Sequence, residues 1–256
     1  MPLRGAFASP QGLPVRLHAM SAAKQQPRRR ASFLRGLVSL VYILPLAFAL
    51  FFLTLMIVYS QMHPPSTLML GRWLTGQPVD RRWVALDDIS PNLVAAVVTS
   101  EDARFCMHHG VDWVEMHAAL DEDEEGGPSR GASTITMQTV KNLFLWNSRS
   151  FIRKGIEIPM ALVLDRIWSK RRILETYLNI AEWGNGVFGA EAASRADFGK
   201  AAKELSPRES ALLAAALPNP KLRDPRRPTR GYLRRAGTIA RLSSPDADWL
   251  GCLAGK

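Results

Sequence analysis

Residues 89–112 read ISPNLVAAVVTSEDARFCMHHGVD, and this stretch carries the clearest helical signal in the chain. Ser90 followed by Pro91 is typical of a helix start, with serine as the N-cap and proline at the first helical position. The apolar residues that follow recur at the three- and four-residue spacing of a helix. Glu101 falls on the same stripe, so the predicted helix places a carboxylate among apolar side chains.

A carboxylate on an apolar helix face is costly unless it is paired or protonated. Phe105 and His108 continue the face of Glu101, and Asp102 adjoins it. Burial beside a second acid raises the pKa of a carboxyl group towards neutrality, as general acid or base catalysis requires. A buried ion pair between Glu101 and His108 without a catalytic role fits the same spacing. The residues alone leave both interpretations open.

The rest of the chain after residue 62 is predicted to be all-α, because no run of residues alternates as a strand does. Further helical segments are predicted at 113–120, 133–145, 152–167, 170–181 and 207–216. Two segments are predicted to be mobile. The first is 121–130, a run of acids followed by glycine and proline, and the second is the Arg- and Pro-rich stretch from Lys221 onward. The second is interpreted as a solvated basic surface facing anionic lipid.

An uncharged apolar run at 36–62 follows a basic tail at 1–35. As a helix rising ~1.5 Å per residue, it is long enough to cross a hydrocarbon core of ~30 Å. Pro45 is tolerated in such a span. The run is longer than the apolar part of a signal peptide, and no cleavage pattern follows it. The arginines before it predict a cytoplasmic N-terminus and place the remaining chain outside the membrane.

The formal net charge of +10 would suit a nucleic-acid-binding protein. Most of this excess of positive charge lies in the basic tail, however, and the charges of the remaining chain are nearly balanced, so nucleic acid is not an expected partner.

The two cysteines, Cys106 and Cys252, form no disulfide framework. They could pair in an oxidising compartment, but two unpaired thiols are predicted. No Cys or His spacing suggests zinc.

Two further clusters bear chemically useful side chains. In GASTITMQTVKN (131–142), Ser133 is the predicted N-cap of a helix whose first N–H groups could bind an anion, and Gln138, Lys141 and Asn142 share one face. An ordinary capped helix with a solvated face fits equally well. In IRKGIE (152–157), Arg153 and Glu157 stand one turn apart beside Lys154, which is usually an exposed salt bridge. Two acids with several cations also suit sugar transfer from a pyrophosphate leaving group.

Read in order, these clusters resemble successive motifs of the peptidoglycan glycosyltransferase family (glycosyltransferase family 51). The matching stretches are EDARFCMHHGVD (101–112), GASTITMQTVKN (131–142), RKGIE (153–157), SKRRILETYLNIAEWGNGVFGAEAA (169–193) and LSPRESALLAAALPNP (205–220). The resemblance covers roughly residues 87–220. The arrangement is most similar to monofunctional biosynthetic transglycosylases, which have a short cytoplasmic tail, one span and no second catalytic domain.

The resemblance implies a lysozyme-like helical lobe and a smaller membrane-associated lobe, with the active-site cleft between them. The expected layout is a cytoplasmic tail at 1–35, a transmembrane helix at 36–62, a connector at 63–88, the glycosyltransferase domain at 89–222 and a basic extension at 223–256. The expected location is the inner membrane, with a periplasmic catalytic domain. The implied reaction polymerises lipid II into β-1,4-linked glycan, with inversion at the donor anomeric carbon and release of undecaprenyl pyrophosphate.

Roles carry over from the family motif by motif. Glu101 resembles the general base, and Glu157 resembles the acid that assists pyrophosphate departure. Residues matching cleft and donor-contact positions are Asp102, Phe105, His108, Ser133, Thr134, Gln138, Lys141, Asn142, Arg153 and Lys154. Supporting positions are Glu175, Tyr177 and Asn179. The resemblance allows a divalent metal ion (Mg or Mn) near Glu157 and implies no organic cofactor. The implied partners are lipid II, undecaprenyl-pyrophosphate-linked glycan and the membrane, and other cell-wall synthesis or division proteins are compatible with it.

Three positions depart from the family pattern: Met137, Pro159 and Asp197. Pro159 should kink or interrupt the helix that carries Glu157, and Asp197 replaces a customary aromatic residue. The apolar stretch 143–152 could be core, but the family places it in the membrane-associated lobe.

Two rival functions are a lytic enzyme that uses Glu101 as general acid and a non-catalytic membrane-anchored scaffold. The first needs neither a membrane span nor cations for pyrophosphate, and the second needs neither glutamate.

Overall fold

The computed structural model describes residues 36, 38–124, 132–146, 148 and 150–253. The chain divides into two compact units, Met1–Phe51 and Phe52–Lys256. In the first unit, a π-helical turn at Ser39–Ile43 leads into helix α1, Leu44–Tyr59, whose last residues belong to the second unit. Within the part of the chain that the structure describes, Ser39–Tyr59 is the one helix long and apolar enough to cross a membrane. The predicted tail at 1–35 lies outside the described residues.

The second unit is mainly helical, as predicted. Its remaining helices are α2 (Thr67–Leu74), α3 (Pro91–Glu101), α4 (Trp113–Glu124), α5 (Ile135–Phe144), α6 (Phe151–Ile167), α7 (Lys170–Ile180), α8 (Ala190–Phe198), α9 (Pro207–Ala216) and α10 (Arg230–Leu242). Short 3-10 turns lie at Leu86–Asp88, Ala202–Glu204 and Asp248–Leu253. All the helical segments predicted from periodicity are present, whereas α2, α8 and α10 are additional.

Local sequence sets most of the helix starts. At each of six helices a Ser or Thr hydroxyl accepts the backbone N–H three residues on, which satisfies a group that the helix itself leaves unpaired. These caps are Ser66, Thr134, Ser150, Ser169, Ser206 and Thr229. Ser90 also lies at the predicted N-cap position of α3, but its hydroxyl donates to the carbonyl of Leu205 (2.8 Å) instead.

The core forms where α3, α5, α7 and α9 pack together. Helix α9 contacts α3 and α10, and α5 contacts α6 and α7. Alanines at 211 and 214–216 in α9 are fully buried, and their small side chains let the neighbouring helices approach closely. Larger side chains such as Val97, Leu174 and Leu213 fill the remaining space. Each such burial stabilises the fold by roughly 1.5–3 kcal/mol relative to exposure.

A small sheet accompanies the helices, although no strand was predicted. Strand β1 (Asp80–Arg81) pairs in parallel with β3 (Val187–Phe188), which pairs antiparallel with β2 (Glu182–Gly184). Strands of two or three residues are too short to show an alternating pattern, so sequence periodicity could not reveal them.

The predicted connector at 63–88 is largely ordered. Helix α2 buries Met69 and Arg72. The Arg72 guanidinium donates to the carbonyl of Pro78 (3.0 Å) and to the side chain of Asn185 (3.1 Å), and so holds α2 against the sheet. A buried arginine satisfied in this way gives the connector a fixed path.

The prediction of a mobile C-terminal surface was wrong. Helix α10 packs against α3 and α9 and buries Tyr232, Ala236 and Ile239, which lie at i, i+4 and i+7. This stripe is narrow within an Arg-rich sequence, which is why the apolar content looked too weak for a core helix. The other segment predicted to be mobile, 121–130, includes the end of α4, and its remainder, 125–130, lies outside the described residues.

The prediction of two unpaired thiols was also wrong, because Cys106 and Cys252 form a disulfide with a Cα–Cα distance of 5.6 Å. The two residues are 146 positions apart in the chain. Their pairing depends on how the end of the chain folds back, which spacing alone does not reveal. The bond ties the loop after α3 to the 3-10 turn at Asp248–Leu253.

Pro159 does not interrupt helix α6, which runs from Phe151 to Ile167 with the proline inside. Proline removes one backbone hydrogen bond and crowds the carbonyl four residues earlier, here that of Gly155. Ala161 and Leu164 are fully buried on the same helix. Their packing offsets the local loss, so the expected interruption does not occur.

Candidate active site

Glu101 is the last residue of α3, where the buried stripe of that helix reaches a cleft. Its Oε2 accepts a hydrogen bond from Nε2 of Gln138 (3.1 Å). Its Oε1 is buried and has no hydrogen-bond partner among the described residues. Burial raises the pKa of Glu101, while the Gln138 hydrogen bond and the positive charges of Arg235, Lys141 and Arg223 oppose the shift. The Glu101 carboxylate is thus more basic than that of an exposed glutamate.

The predicted alternative of a Glu101–His108 ion pair is wrong. His108 Nε2 lies 2.9 Å from Oδ1 of Asp102, and both side chains are buried. The other oxygen of Asp102 accepts the backbone N–H of Ile135 (2.9 Å), at the start of α5. Phe105 packs edge-on against the His108 ring, with centroids 6.3 Å apart. Asp102, Phe105 and His108 therefore join the end of α3 to the start of α5.

The start of α5 differs from the prediction in its cap. Thr134, not Ser133, is the N-cap: its hydroxyl accepts from Met137 N (3.1 Å) and donates to the carbonyl of Gly110 (2.6 Å). Gly110 has φ 81°, and a Cβ there would lie 2.5 Å from the carbonyl oxygen of Ala161, so only glycine fits. Asp102 and Thr134 thus accept two of the first three N–H groups of this helix. Fewer of these groups are left for an external anion than the sequence predicts.

Gln138 is fixed on both sides. Tyr177, buried in α7, donates its hydroxyl proton to Oε1 of Gln138 (3.1 Å), so the amide nitrogen faces Glu101. Burial raises the pKa of Tyr177, which keeps the phenol protonated and able to donate. The chain Tyr177–Gln138–Glu101 thereby orients the carboxylate from the core outward.

Glu157 lies at the centre of a cationic cluster on α6. Its side chain is 2% exposed and contacts both Arg153 and Lys154. The Lys154 Nζ also donates to the hydroxyl of Ser133 (2.7 Å) and so bridges α6 to the start of α5. The pair is buried, and the interpretation as an exposed salt bridge is wrong.

Lys141 lies within the field of both acids. Burial lowers the pKa of Lys141, and attraction to Glu157 and Glu101 opposes that shift. Among the residues that the structure describes, it forms no ion pair shorter than 4.0 Å, in contrast to Arg153 and Lys154. Its charge is therefore available to a ligand.

Two clefts adjoin this arrangement. The first, which we call the Glu101 cleft, has a volume of about 210 Å³ and is lined by residues 99–104, Asp112, Glu115 and 132–134. The second, the Lys141 cleft, has a volume of about 190 Å³ and includes Gln138, Lys141, Asn142, Tyr177 and Glu182. Between them they bring together predicted residues from the first, second and fourth motifs.

Comparison with known proteins identifies the family. The Transglycosylase family model matches residues 68–243, more than half of the chain. The chain belongs to the transglycosylase family. It is therefore a glycosyltransferase, and the resemblance drawn from the five motifs is confirmed, as is the lysozyme-like helical fold.

Several similar proteins are named biosynthetic peptidoglycan transglycosylase. One from Rhodospirillum centenum is 53% identical over 224 residues, which cover 87% of this chain and 92% of that protein. One from Brucella suis is 51% identical over 201 residues, covering 78% of this chain and 90% of that protein. One from Rhizobium meliloti is 47% identical over 233 residues, covering 91% and 97% respectively.

Glu175 and Asn179, from the fourth motif of this transglycosylase, hold helix α7 in position next to the site. The Glu175 carboxylate accepts from Leu86 N (3.1 Å) and pairs with Arg172. The Asn179 amide makes two hydrogen bonds of 2.9 Å with the backbone of Val84. Together they anchor α7, and hence Tyr177, to the segment before α3.

The side chains around Glu157 do not fit a metal site made by protein alone. Two cations already contact its carboxylate. Across the described ranges, no cluster of three or more His, Cys, Asp or Glu side chains could hold a metal ion. The expected Mg or Mn dependence stays a prediction, and no step below runs through a metal.

Two residues near the site were missed by sequence reasoning. Arg235 of α10 and Arg223 both act on Glu101 through their charge. Both lie in the C-terminal stretch that the sequence predicts to be a basic surface facing lipid. The Tyr232, Ala236 and Ile239 stripe was the available signal that this segment packs into the catalytic domain.

Proposed function

We propose that this transglycosylase polymerises lipid II into β-1,4-linked peptidoglycan strands on the outer side of the inner membrane. The relatives named above supply the reaction class, and the motif resemblance supplies the substrate. One observation carries the proposal: Lys141 lies in the field of two buried acids and forms no ion pair in the described structure. The first acid is Glu101, whose pKa is raised by burial, and the second is Glu157, which is surrounded by cations.

In the proposed reaction, Glu101 takes the proton from the acceptor 4-hydroxyl. The hydroxyl oxygen bonds to the donor anomeric carbon from the face opposite the pyrophosphate, and the bond from that carbon to the pyrophosphate oxygen breaks. The anomeric configuration inverts. Burial makes the Glu101 carboxylate more basic than an exposed one, while Gln138 and the nearby cations keep a fraction of it ionised.

The leaving pyrophosphate gathers negative charge as the bond breaks. Lys141 is placed to stabilise it, because this cation lies in the field of both acids and in the described structure no protein carboxylate pairs with it. Arg153 and Lys154 add to the positive field, and Glu157 holds both of them in position. A hydrolase that cleaves glycan has no comparable charge to stabilise, so this cluster favours the synthetic reaction.

We also propose that the domain rests on the membrane. Several large apolar side chains are exposed on α2, just after α5 and at the start of α6: Leu70, Trp73, Leu74, Trp146 and Ile152. Helix α2 packs against α5, so these side chains belong to one part of the domain. Exposed tryptophan and leucine in such a group suit a membrane interface.

The activity is tested by incubating the purified full chain with lipid II in detergent. Polymeric glycan and undecaprenyl pyrophosphate should appear together. Shortening of preformed glycan strands without polymer formation would establish a lytic enzyme instead.

The orientation is tested with a reporter fused after Lys256 that is active only in the cytoplasm. The fusion should be silent, because the arginines precede the span. The Cys106–Cys252 disulfide supports the same orientation, since such bonds persist in oxidising compartments. A strong cytoplasmic signal would refute it.

A further inference from the structure

A third cleft lies beside the Lys141 cleft and has no role in the reaction described so far. Its volume is about 410 Å³. We call it the Trp183 cleft. Its lining includes Trp183, Asp197, Lys221, Arg223, Asp224 and Arg226.

The Trp183 cleft adjoins the Lys141 cleft. Pro220 lines both. On strand β2, Glu182 lines the Lys141 cleft and the next residue, Trp183, lines the other. The Lys221 ammonium lies 3.9 Å from the Glu182 carboxylate, at this border. A substrate that occupies the Lys141 cleft therefore has a second cavity next to it.

Charges of both signs line the Trp183 cleft. Asp197 is largely buried, and Arg226 lies 3.6 Å from it and 3.3 Å from Asp224. Arg223 and Lys221 add two more cations. Burial raises the pKa of Asp197 to about 6, with Asp224 adding to the shift and Arg226 opposing it.

The indole N–H of Trp183 is buried without a hydrogen-bond partner among the described residues. An unsatisfied donor of this kind is unusual in a folded protein.

This chemistry discriminates between ligands. An uncharged sugar is bound by amides, hydroxyls and exposed aromatic faces. The lining of this cleft offers one side-chain amide, Asn185, and no side-chain hydroxyl, and Trp183 is 2% exposed with no open face. A purely anionic group such as pyrophosphate would meet the carboxylates of Asp197 and Asp224. A ligand that carries both amino and carboxylate groups can pair with acids and cations alike.

We propose that the Trp183 cleft binds the peptide carried by the substrate's disaccharide, through its free amino and carboxylate groups. This inference rests on the proposed function, since the peptide belongs to the lipid-linked precursor. Asp197 receives the amino group, and Arg223 and Arg226 receive carboxylates. The cleft then selects precursors with a complete peptide, and Asp197, which departs from the family pattern, is a specificity residue of this chain.

The test compares two lipid-linked disaccharide substrates, one with its complete peptide and one with the peptide trimmed to its first residue. The purified full chain and the variants Asp197→Asn and Arg226→Ala are assayed for kcat/KM of polymerisation on each. Arg227→Ala is the matched control, because Arg227 is exposed, adjacent in sequence and not part of the cleft. Melting temperatures verify that each variant is folded.

Wild type and Arg227→Ala should use the complete substrate about tenfold better than the trimmed one, the scale of losing a hydrogen bond to a charged group. Asp197→Asn and Arg226→Ala should lose this preference and match wild type on the trimmed substrate. Equal losses on both substrates, an intact preference in either variant, or a wild-type protein that uses both substrates equally well would overturn the inference and leave the proposed function standing. If wild type polymerises neither substrate, the proposed function fails, and the inference fails with it.

Discussion

The amide nitrogen of Gln138 lies 3.1 Å from a carboxylate oxygen of Glu101, and it is the one hydrogen-bond donor to that carboxylate among the described side chains. The opposite end of the amide accepts from Tyr177. A single neutral donor orients the carboxylate without suppressing its basicity as an arginine contact would. The other oxygen of Glu101 is left to meet a substrate proton.

Replacement of Glu101 by Gln should abolish polymerisation while leaving the fold intact. The amide keeps the shape and an acceptor for Gln138 but cannot take a proton near neutral pH. Polymerisation of lipid II should fall by about 10²–10⁴-fold, the usual contribution of a general base. Glu204→Gln serves as control, since the exposed Glu204 only caps Ala201 N. Near-wild-type polymerisation by folded Glu101→Gln would overturn the mechanism.

The pH profile of polymerisation should show the raised pKa of Glu101. Because the reaction needs the ionised carboxylate, kcat/KM should rise with pH through a pKa above the ordinary glutamate range. Arg235→Gln removes one of the charges that lower this pKa, so its acid limb should move to higher pH. Arg234→Gln, an exposed neighbour on the same helix, should leave the limb in place. A profile unaffected by Arg235→Gln would show that this charge does not reach the site.

The same raised pKa predicts how stability responds to pH. The folded protein holds the Glu101 proton more tightly than the unfolded chain does. The resulting stabilisation is complete below the unfolded pKa and is lost as pH rises through the folded one. Relative to wild type, Glu101→Gln should therefore gain thermal stability as pH increases. Melting curves of both proteins at pH 5 and pH 8 measure the change. If the melting temperature of Glu101→Gln relative to wild type were lower at pH 8 than at pH 5, the direction of the pKa shift would be contradicted.

Replacement by Ala should affect mainly activity at Lys141 and mainly stability at Arg153. Lys141 has no ion-pair partner among the described residues, so Lys141→Ala should lose polymerisation with little change in melting temperature. Arg153 contacts the buried Glu157. Its removal leaves that carboxylate with Lys154 alone, and stability should fall by about 3 kcal/mol, as when a buried pair is broken. Denaturant unfolding distinguishes the two. A Lys141→Ala protein that is active but unstable would contradict its assignment to the leaving group.

The Cys106–Cys252 bond should contribute strongly to stability. It closes a loop between residues 146 positions apart, and cross-links of this kind stabilise by about 2–5 kcal/mol. Cys252→Ser should lower the melting temperature, and a reductant should do the same to wild type. The double variant Cys106→Ser/Cys252→Ser should not respond to reductant. A wild-type protein unaffected by complete reduction would show that packing of the C-terminal segment suffices.

The sequence by itself determined the features that depend on local spacing. The period of the apolar residues predicted α3, α5, α7 and α9, and Glu101 was recognised because it interrupts an apolar stripe. The uncharged run at 36–62 contains the apolar helix Ser39–Tyr59. Residues that act together within one motif, such as Arg153, Lys154 and Glu157, could be grouped because a helix brings i, i+3 and i+4 onto one side.

Only the tertiary structure decided which of these groups meet across the fold. Periodicity shows that a face is buried but not what covers it, so a Glu101–His108 ion pair stayed open as an alternative, although His108 contacts Asp102 instead. Thr134 replaced Ser133 as the cap because the Gly110 carbonyl lies within reach of its hydroxyl. Cys252 pairs with Cys106 because α10 packs against α3 and the end of the chain returns to the loop after α3. These contacts join residues far apart in sequence, and their energies come from the packed core that brings them together.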